Sequence, residues 1–188
     1  MPIRNIYVIN NSLLSDQEII EIAKLSEYPS SVINRCSVIE NRLKKNDFIY
    51  DVNVSKRWLY EVHIDVVENR PLFYYEEQTF LKDGSSVNDD FKSPLLINFV
   101  PENIFLIFKE KMALVEPSVL NRVSEIQYNP NEVDDSRFLL SMKDGNYVYL
   151  TLSKFDMINE YISIIKTLEN ERGILYLDSG AHFEVLEN

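Results

Sequence analysis

Glu61, His63 and Asp65 stand at alternate positions of one run, and a histidine between two carboxylates is a donor set able to hold a divalent metal. On an extended chain such side chains share a face but lie about 6–7 Å apart per step, wide for one small ion. The plainer reading is the solvated face of a strand. Asp89-Asp90 and Asp134-Asp135 are paired carboxylates in polar stretches. General-acid work requires a raised pKa, and nothing apolar surrounds these pairs to raise one. Cys36 falls at helical spacing with Ile39 and Leu43, which reads as a small core residue, and no histidine lies near it in sequence to activate a thiol. Asp178-Ser179-Gly180 is a turn sequence first, and no serine sits in a nucleophile-elbow pattern. With 4 glycines the chain has no Gly-rich phosphate loop. The residue pattern points to binding rather than catalysis, with no cofactor.

The 188 residues allow one medium domain or two small ones, and 45% hydrophobic content is enough for packed cores. A net charge of -11 argues against a nucleic-acid footprint and against adhesion to anionic lipid heads. One cysteine rules out an internal disulfide. No apolar run reaches the roughly 18 residues of a membrane helix, and the N-terminus has no signal-peptide pattern.

The metal-like triplet belongs to the stretch that organises the chain. From Tyr60, the side chains of Tyr60, Val62, Ile64 and Val66 point one way and Glu61, His63 and Asp65 the other, until Pro71 stops the strand. Ahead of it, Ile3 to Asn10 is β-rich, and Ser15-Asp16-Gln17-Glu18 is a capping box opening a helix with Ile19, Ile20, Ala23 and Leu25 on its buried stripe. A second helix is expected from Asn34 to Lys44. A strand from Phe48 to Arg57 follows, with Tyr50, Val52 and Val54 facing in. Trp58 at the turn reads as a packing anchor under the sheet edge, with a partner hot spot as the other reading. Residues 1–70 thus form a β-α-α-β-β domain, a three-stranded sheet under two helices.

Residues 71–188 form a second domain. Leu72 to Leu81 reads as a strand, Asp83-Gly84 as a hairpin turn and Ser85 to Asp90 as a solvated loop. Pro94 to Val100 is a short strand. Pro101 opens a helix buried through Ile104, Phe105, Phe108 and Met112, which Pro117 ends or kinks. A strand begins at Val123 and closes at Asn129-Pro130. Phe138 to Lys143 and Asn146 to Leu152 form the clearest hairpin, around Asp144-Gly145. Ser153 is expected to cap a long helix carrying Ile158, Tyr161, Ile162, Ile165 and Leu168, and Gly173 to end it. Ile174 to Leu177 is a final strand, with one more open at His182 to Val185. Tyr147 and Tyr149 share one face of the hairpin; alternation alone does not say which face is buried.

The first domain, with its Lys56-Arg57-Trp58-Leu59 turn and a strand closing through Val66, Glu68 and Pro71, resembles the POTRA domain of the bacterial cell-division family FtsQ, called DivIB in Gram-positive bacteria. That family has Arg-x-Trp-Pro at the turn, and the proline is missing here. The second domain resembles the family's β domain through Pro94-Leu95-Leu96, Val123-Ser124-Glu125-Ile126, the Asp-Gly hairpin, the long helix and Asp178-Ser179-Gly180-Ala181. The fold expected is α+β: a POTRA domain followed by a mixed or antiparallel β-sheet domain with flanking helices.

The resemblance implies a non-enzymatic divisome scaffold on the extracytoplasmic side of the cell membrane, at the septum, behind a single N-terminal membrane anchor that this chain lacks, with Pro2 just outside the membrane. It implies as partners FtsB (DivIC) with FtsL, and septal peptidoglycan synthases. It also implies strand addition to an edge formed by the last strand, carried by Tyr176, Leu177, Ser179, Gly180 and Ala181. Gram-negative members have an arginine at the position of Tyr176, so an aromatic contact replaces a charge pair here. The alternative is a peptide-binding POTRA module of a secretion or membrane-insertion machine. That predicts tandem repeats or a following β-barrel, and residues 71–188 show neither.

Overall fold

A computed structural model of the chain describes residues 1–27, 29–168 and 171–186. They divide into two compact units, Met1–Arg70 and Pro71–Asn188.

The first unit runs β1 (Asn5–Ile9), α1 (Asp16–Ile22), α2 (Cys36–Leu43), β2 (Ile49–Arg57) and β3 (Glu61–Glu68). β3 is the central strand, parallel to β1 and antiparallel to β2. Its alternation follows from that place: Val62, Ile64 and Val66 enter one core with Ile19, Ile39 and Leu43, while Glu61, His63 and Asp65 stay on the other face. The capping box forms, with Ser15 Oγ accepting from the Glu18 amide and the Glu18 carboxylate accepting from the Ser15 amide at 2.8 Å. Glu68 fastens the loop before α1. Its carboxylate accepts from the backbone amides of Ser12, Leu13 and Leu14, each at 2.9 Å, and from the Ser12 hydroxyl.

Two expectations fail here. Tyr50 points to solvent, because a bulge between Ile49 and Asp51 gives the inward position to Ile49. Trp58 is 78% exposed and anchors nothing. Trp58 and Leu59 both take left-handed backbone angles, φ 54 and 59, at the apex of the β2–β3 hairpin. A proline, locked near φ −65°, cannot occupy position 59 of this turn, which accounts for the departure from Trp-Pro.

The second unit is built on a nine-stranded mixed sheet. Its elements are β4 (Pro71–Tyr75), β5 (Gln78–Leu81), β6 (Ser86–Val87), β7 (Leu95–Leu96), α3 (Glu102–Met112), α4 (Pro117–Leu120), β8 (Val123–Tyr128), β9 (Arg137–Met142) and β10 (Tyr147–Thr151). A 3-10 segment (Leu152–Glu160), α5 (Tyr161–Lys166), β11 (Gly173–Tyr176) and β12 (His182–Val185) follow. The sheet order is β12-β11-β10-β9-β8-β7-β4-β5-β6. One face is apolar: Ile126, Phe138, Leu140, Val148, Leu150 and Leu175 pack with Phe108, Phe155, Ile158 and Tyr161 of the helical segments.

Local readings fail at six points. Leu72 to Leu81 is two strands, turned at Glu76-Glu77, both left-handed (φ 47 and 63) without a glycine to signal it. The stretch Ser85 to Asp90 holds the two-residue β6, and the Pro94 to Val100 strand shrinks to Leu95–Leu96. Pro117 starts α4 at its first turn, since α3 has already ended at Ala113. Ser153 caps no long helix: the chain leaves Thr151 as a 3-10 segment broken at Lys154. Gly173 is not a helix terminator but the first residue of β11.

Candidate partner-binding edge

β11 joins the sheet parallel to β10, with Val148 opposite Leu175 and Tyr149 opposite Tyr176. A buried polar network sets its start. Asn146 Oδ1 accepts from the Gly173 amide at 2.9 Å, and Asn146 Nδ2 donates to Asp144 Oδ1 and Tyr161 Oη. Tyr161 Oη in turn donates to the Asp144 carboxylate at 2.7 Å. Burial, and then the hydrogen bond to Asp144, push the Tyr161 phenol well above its ordinary range, so it stays a donor.

The other end of β11 is held by an ion pair. Arg137 Nε donates to Asp178 Oδ2 at 2.7 Å, with the two side chains 13% and 11% exposed. The guanidinium also lies 3.5 Å over the Tyr149 ring, and the Asp178 carbonyl accepts from Lys154 Nζ. From Tyr149 the aromatic row runs outward across the open face. Tyr149 stacks on Tyr176 at 5.3 Å and Tyr176 on His182 at 4.5 Å. Tyr176 Oη donates to Glu184. A hollow of about 400 Å³ opens beside this row, among Val133, Arg137, Tyr176, Asp178, Ser179 and His182.

β12 forms one edge of the sheet, antiparallel to β11. The strand holding Tyr176 is therefore not the edge; one more strand covers it. Tyr176 is half-buried between Tyr149 and His182, and Leu177 is fully buried in the core. Ser179, Gly180 and Ala181 are the exposed turn into β12. A Cβ on Gly180 would meet nothing within 4 Å, so glycine serves the turn (φ +114) rather than a close approach. The close approach is at Gly173, where a Cβ would stand 2.1 Å from the Glu184 carbonyl oxygen.

The Leu186 amide donates to the Arg172 carbonyl. By the two-residue period of an antiparallel ladder, the amides of Glu184 and His182 face β11 and those of Phe183 and Val185 face outward. Sequence reasoning missed Arg137, which pairs with Asp178 across 41 residues. The aromatic row had a signal in the shared parity of Tyr147 and Tyr149, and the structure places that face outside: Tyr147 is exposed, while Val148 is buried.

The metal-like triplet does not converge. His63 Nε2 lies 2.5 Å from Glu61 Oε1 and its ring stacks on Tyr7, whereas Asp65 accepts from Asn10.

Comparison with known proteins matches residues 1–69 to the POTRA domain, FtsQ-type. The cell division protein DivIB of Pediococcus pentosaceus is 30% identical over 171 residues, covering 86% of this chain and 46% of that protein. DivIB of Bacillus subtilis is 25% identical over 193 residues, covering 97% of this chain and 73% of that protein. Residues 1–69 are thus an FtsQ-type POTRA domain, and the chain is similar to DivIB over most of its length. It spans about half the length of the first of these relatives and about three quarters of the second. A solved structure of the major extracytoplasmic domain of DivIB from Geobacillus stearothermophilus aligns with a TM-score of 0.43 and 24% identity, over 55% of this chain and 96% of that one.

Proposed function

We propose that this chain is the extracytoplasmic region of a DivIB-type division protein and works as a non-enzymatic scaffold at the septum. It pairs with the FtsB (DivIC)/FtsL complex by strand addition and so helps to coordinate septal wall synthesis. The observation that carries this is the open edge at β12. Four residues, His182 to Val185, end a nine-stranded sheet with backbone donors facing outward. An aromatic row leads to that edge. Main-chain bonds to an added strand supply affinity, and alternate side chains supply specificity. In this reading Tyr176 stacks under His182 and supports the ring that borders the incoming strand. Leu177 sets the position of β11 from within the core. Ser179, Gly180 and Ala181 build the turn that creates the edge.

The test is calorimetric titration of the chain with the purified extracellular parts of the same organism's DivIC/FtsB and FtsL. Val185→Pro removes one outward amide and keeps the inner ladder. Proline is tolerated on an edge strand in that orientation. The expected result is saturable binding, weakened about tenfold by Val185→Pro through a lost hydrogen bond and a blocked approach. Binding that Val185→Pro and Tyr176→Ala both leave intact moves the site elsewhere. Absence of binding by folded protein removes the scaffold role in this form and favours the peptide-binding module.

A further inference from the structure

One end of the first unit is apolar and exposed to a degree that its fold does not require. Trp58 and Leu59 form the apex of the β2–β3 hairpin, at 78% and 63% exposure. Val32 and Ile33, at 67% and 72%, sit in the loop before α2. The two segments are tied together: the Lys56 ammonium donates to the carbonyls of Ser31 and Asn34 at 2.7 and 2.5 Å. The start of the chain is fastened to the same end. The Ser31 amide donates to the Met1 carbonyl, and the amides of Arg4 and Asn5 donate to the Tyr60 carbonyl. Met1 is itself 66% exposed. Five large apolar residues are thus exposed at this end among the described residues, and exposed apolar surface of this kind marks an interaction site.

The charge at this end says what covers it. The chain as a whole is acidic, 30 Asp and Glu against 19 Lys and Arg. Around the apex the balance reverses. Arg4, Arg35 and Arg57 are exposed and Lys56 is partly buried, while of the carboxylates on the same segments Glu61 is engaged by His63 and Glu40, on α2, accepts from the Val54 amide. Charges farther off than about 8 Å are screened at physiological salt, so an approaching surface senses this local balance rather than the net charge. A tryptophan and aliphatic side chains ringed by arginines match the boundary of an anionic bilayer. There, indole rings settle at headgroup level and each nearby cation adds attraction. A negatively charged bilayer repels the acidic remainder and admits only this end.

We propose that the Trp58–Leu59 apex, with Val32, Ile33 and the arginines around them, is a contact site for anionic phospholipid. This rests on the extracytoplasmic reading only for where the chain meets a membrane; the site itself is independent of any division partner.

Trp58 is the single tryptophan, so its emission reports on the site directly. The chain is titrated with vesicles of phosphatidylglycerol and phosphatidylcholine in equal parts, and with phosphatidylcholine alone. The expected result is a blue shift and protection from acrylamide on the anionic vesicles only, reversed by high salt. Arg57→Gln and Arg35→Gln should each lower the partition about fivefold. Trp58→Ser with Leu59→Ser, followed by co-sedimentation, should abolish binding while circular dichroism stays unchanged.

Unchanged Trp58 emission on anionic vesicles overturns the proposal. So does co-sedimentation that survives the Trp58→Ser, Leu59→Ser pair. A blue shift that grows with protein concentration and without lipid also overturns it, by pointing to a second copy of the chain. Because no partner protein enters the assay, its outcome is separate from that of the strand-addition titration.

Discussion

Gly173→Ala tests how the edge is built. An alanine Cβ at this position would lie 2.1 Å from the Glu184 carbonyl oxygen and 2.6 and 2.8 Å from Phe183 Cζ and Cε1. The first distance falls more than 1 Å short of ordinary contact, which begins at 3.4 Å, and the atom met is backbone. A ring can rotate aside, but a strand must move. Overpacking of this kind costs about 1–3 kcal/mol where the neighbours hold. β12 is four residues long, and each of its few backbone bonds contributes only about 1 kcal/mol net. The cheaper response is for β12 to leave β11. The denaturation midpoint should therefore fall by an amount worth about 1–3 kcal/mol. Amide exchange should accelerate in β11 and β12 while β8, β9 and β10 keep their protection. Binding of the division partners should weaken in proportion if they dock on β12. Exchange mass spectrometry with urea titration reads both effects. Unchanged stability together with unchanged exchange refutes the close approach and the reasoning from it. A gain in partner affinity would show instead that β11 receives the added strand and that β12 is a cover.

Two further substitutions probe what holds each unit. Burial raises the Glu68 carboxyl, but the amides of Leu14, Leu13 and Ser12 and the Ser12 hydroxyl outweigh it, so the folded value lies below the ordinary glutamate range. A lowered carboxyl stabilises the fold above its unfolded pKa and loses that effect as pH falls through the folded value. Glu68→Gln should cost about 1–2 kcal/mol at neutral pH. Urea titrations should show the gap from the parent closing below roughly pH 4.5; a gap independent of pH contradicts the assignment. Tyr161→Phe removes the donor to Asp144 at a fully buried position and should lower stability by about 1–3 kcal/mol, with faster exchange at the start of β11. A thermal melt identical to the parent's would show that the network is dispensable.

What can be read in the sequence is what is local. The β3 alternation, the Ser15–Glu18 box and the Asp144-Gly145 turn each place their signal within a few residues of its effect. The turn at Glu76-Glu77 escapes because glutamate does not advertise a positive φ. Trp58 escapes because a large aromatic is read as core, while the hairpin apex holds it in solvent.

Gly173 shows the deeper reason that the candidate edge is only half legible. Its lack of a side chain is explained by Glu184 and Phe183, which lie on a strand that pairs with it only after the chain has turned back. Asp178-Ser179-Gly180-Ala181 is legible as a turn, but its part in the fold is not. With Gly180 at φ +114 and Ala181 at φ +26, the tetrapeptide is the turn that folds β12 onto β11. Arg137 clamps Asp178 at the base of that turn. The residues read as the docking strand therefore act one step removed: they set the position of β12, whose outward amides the proposed strand addition would use.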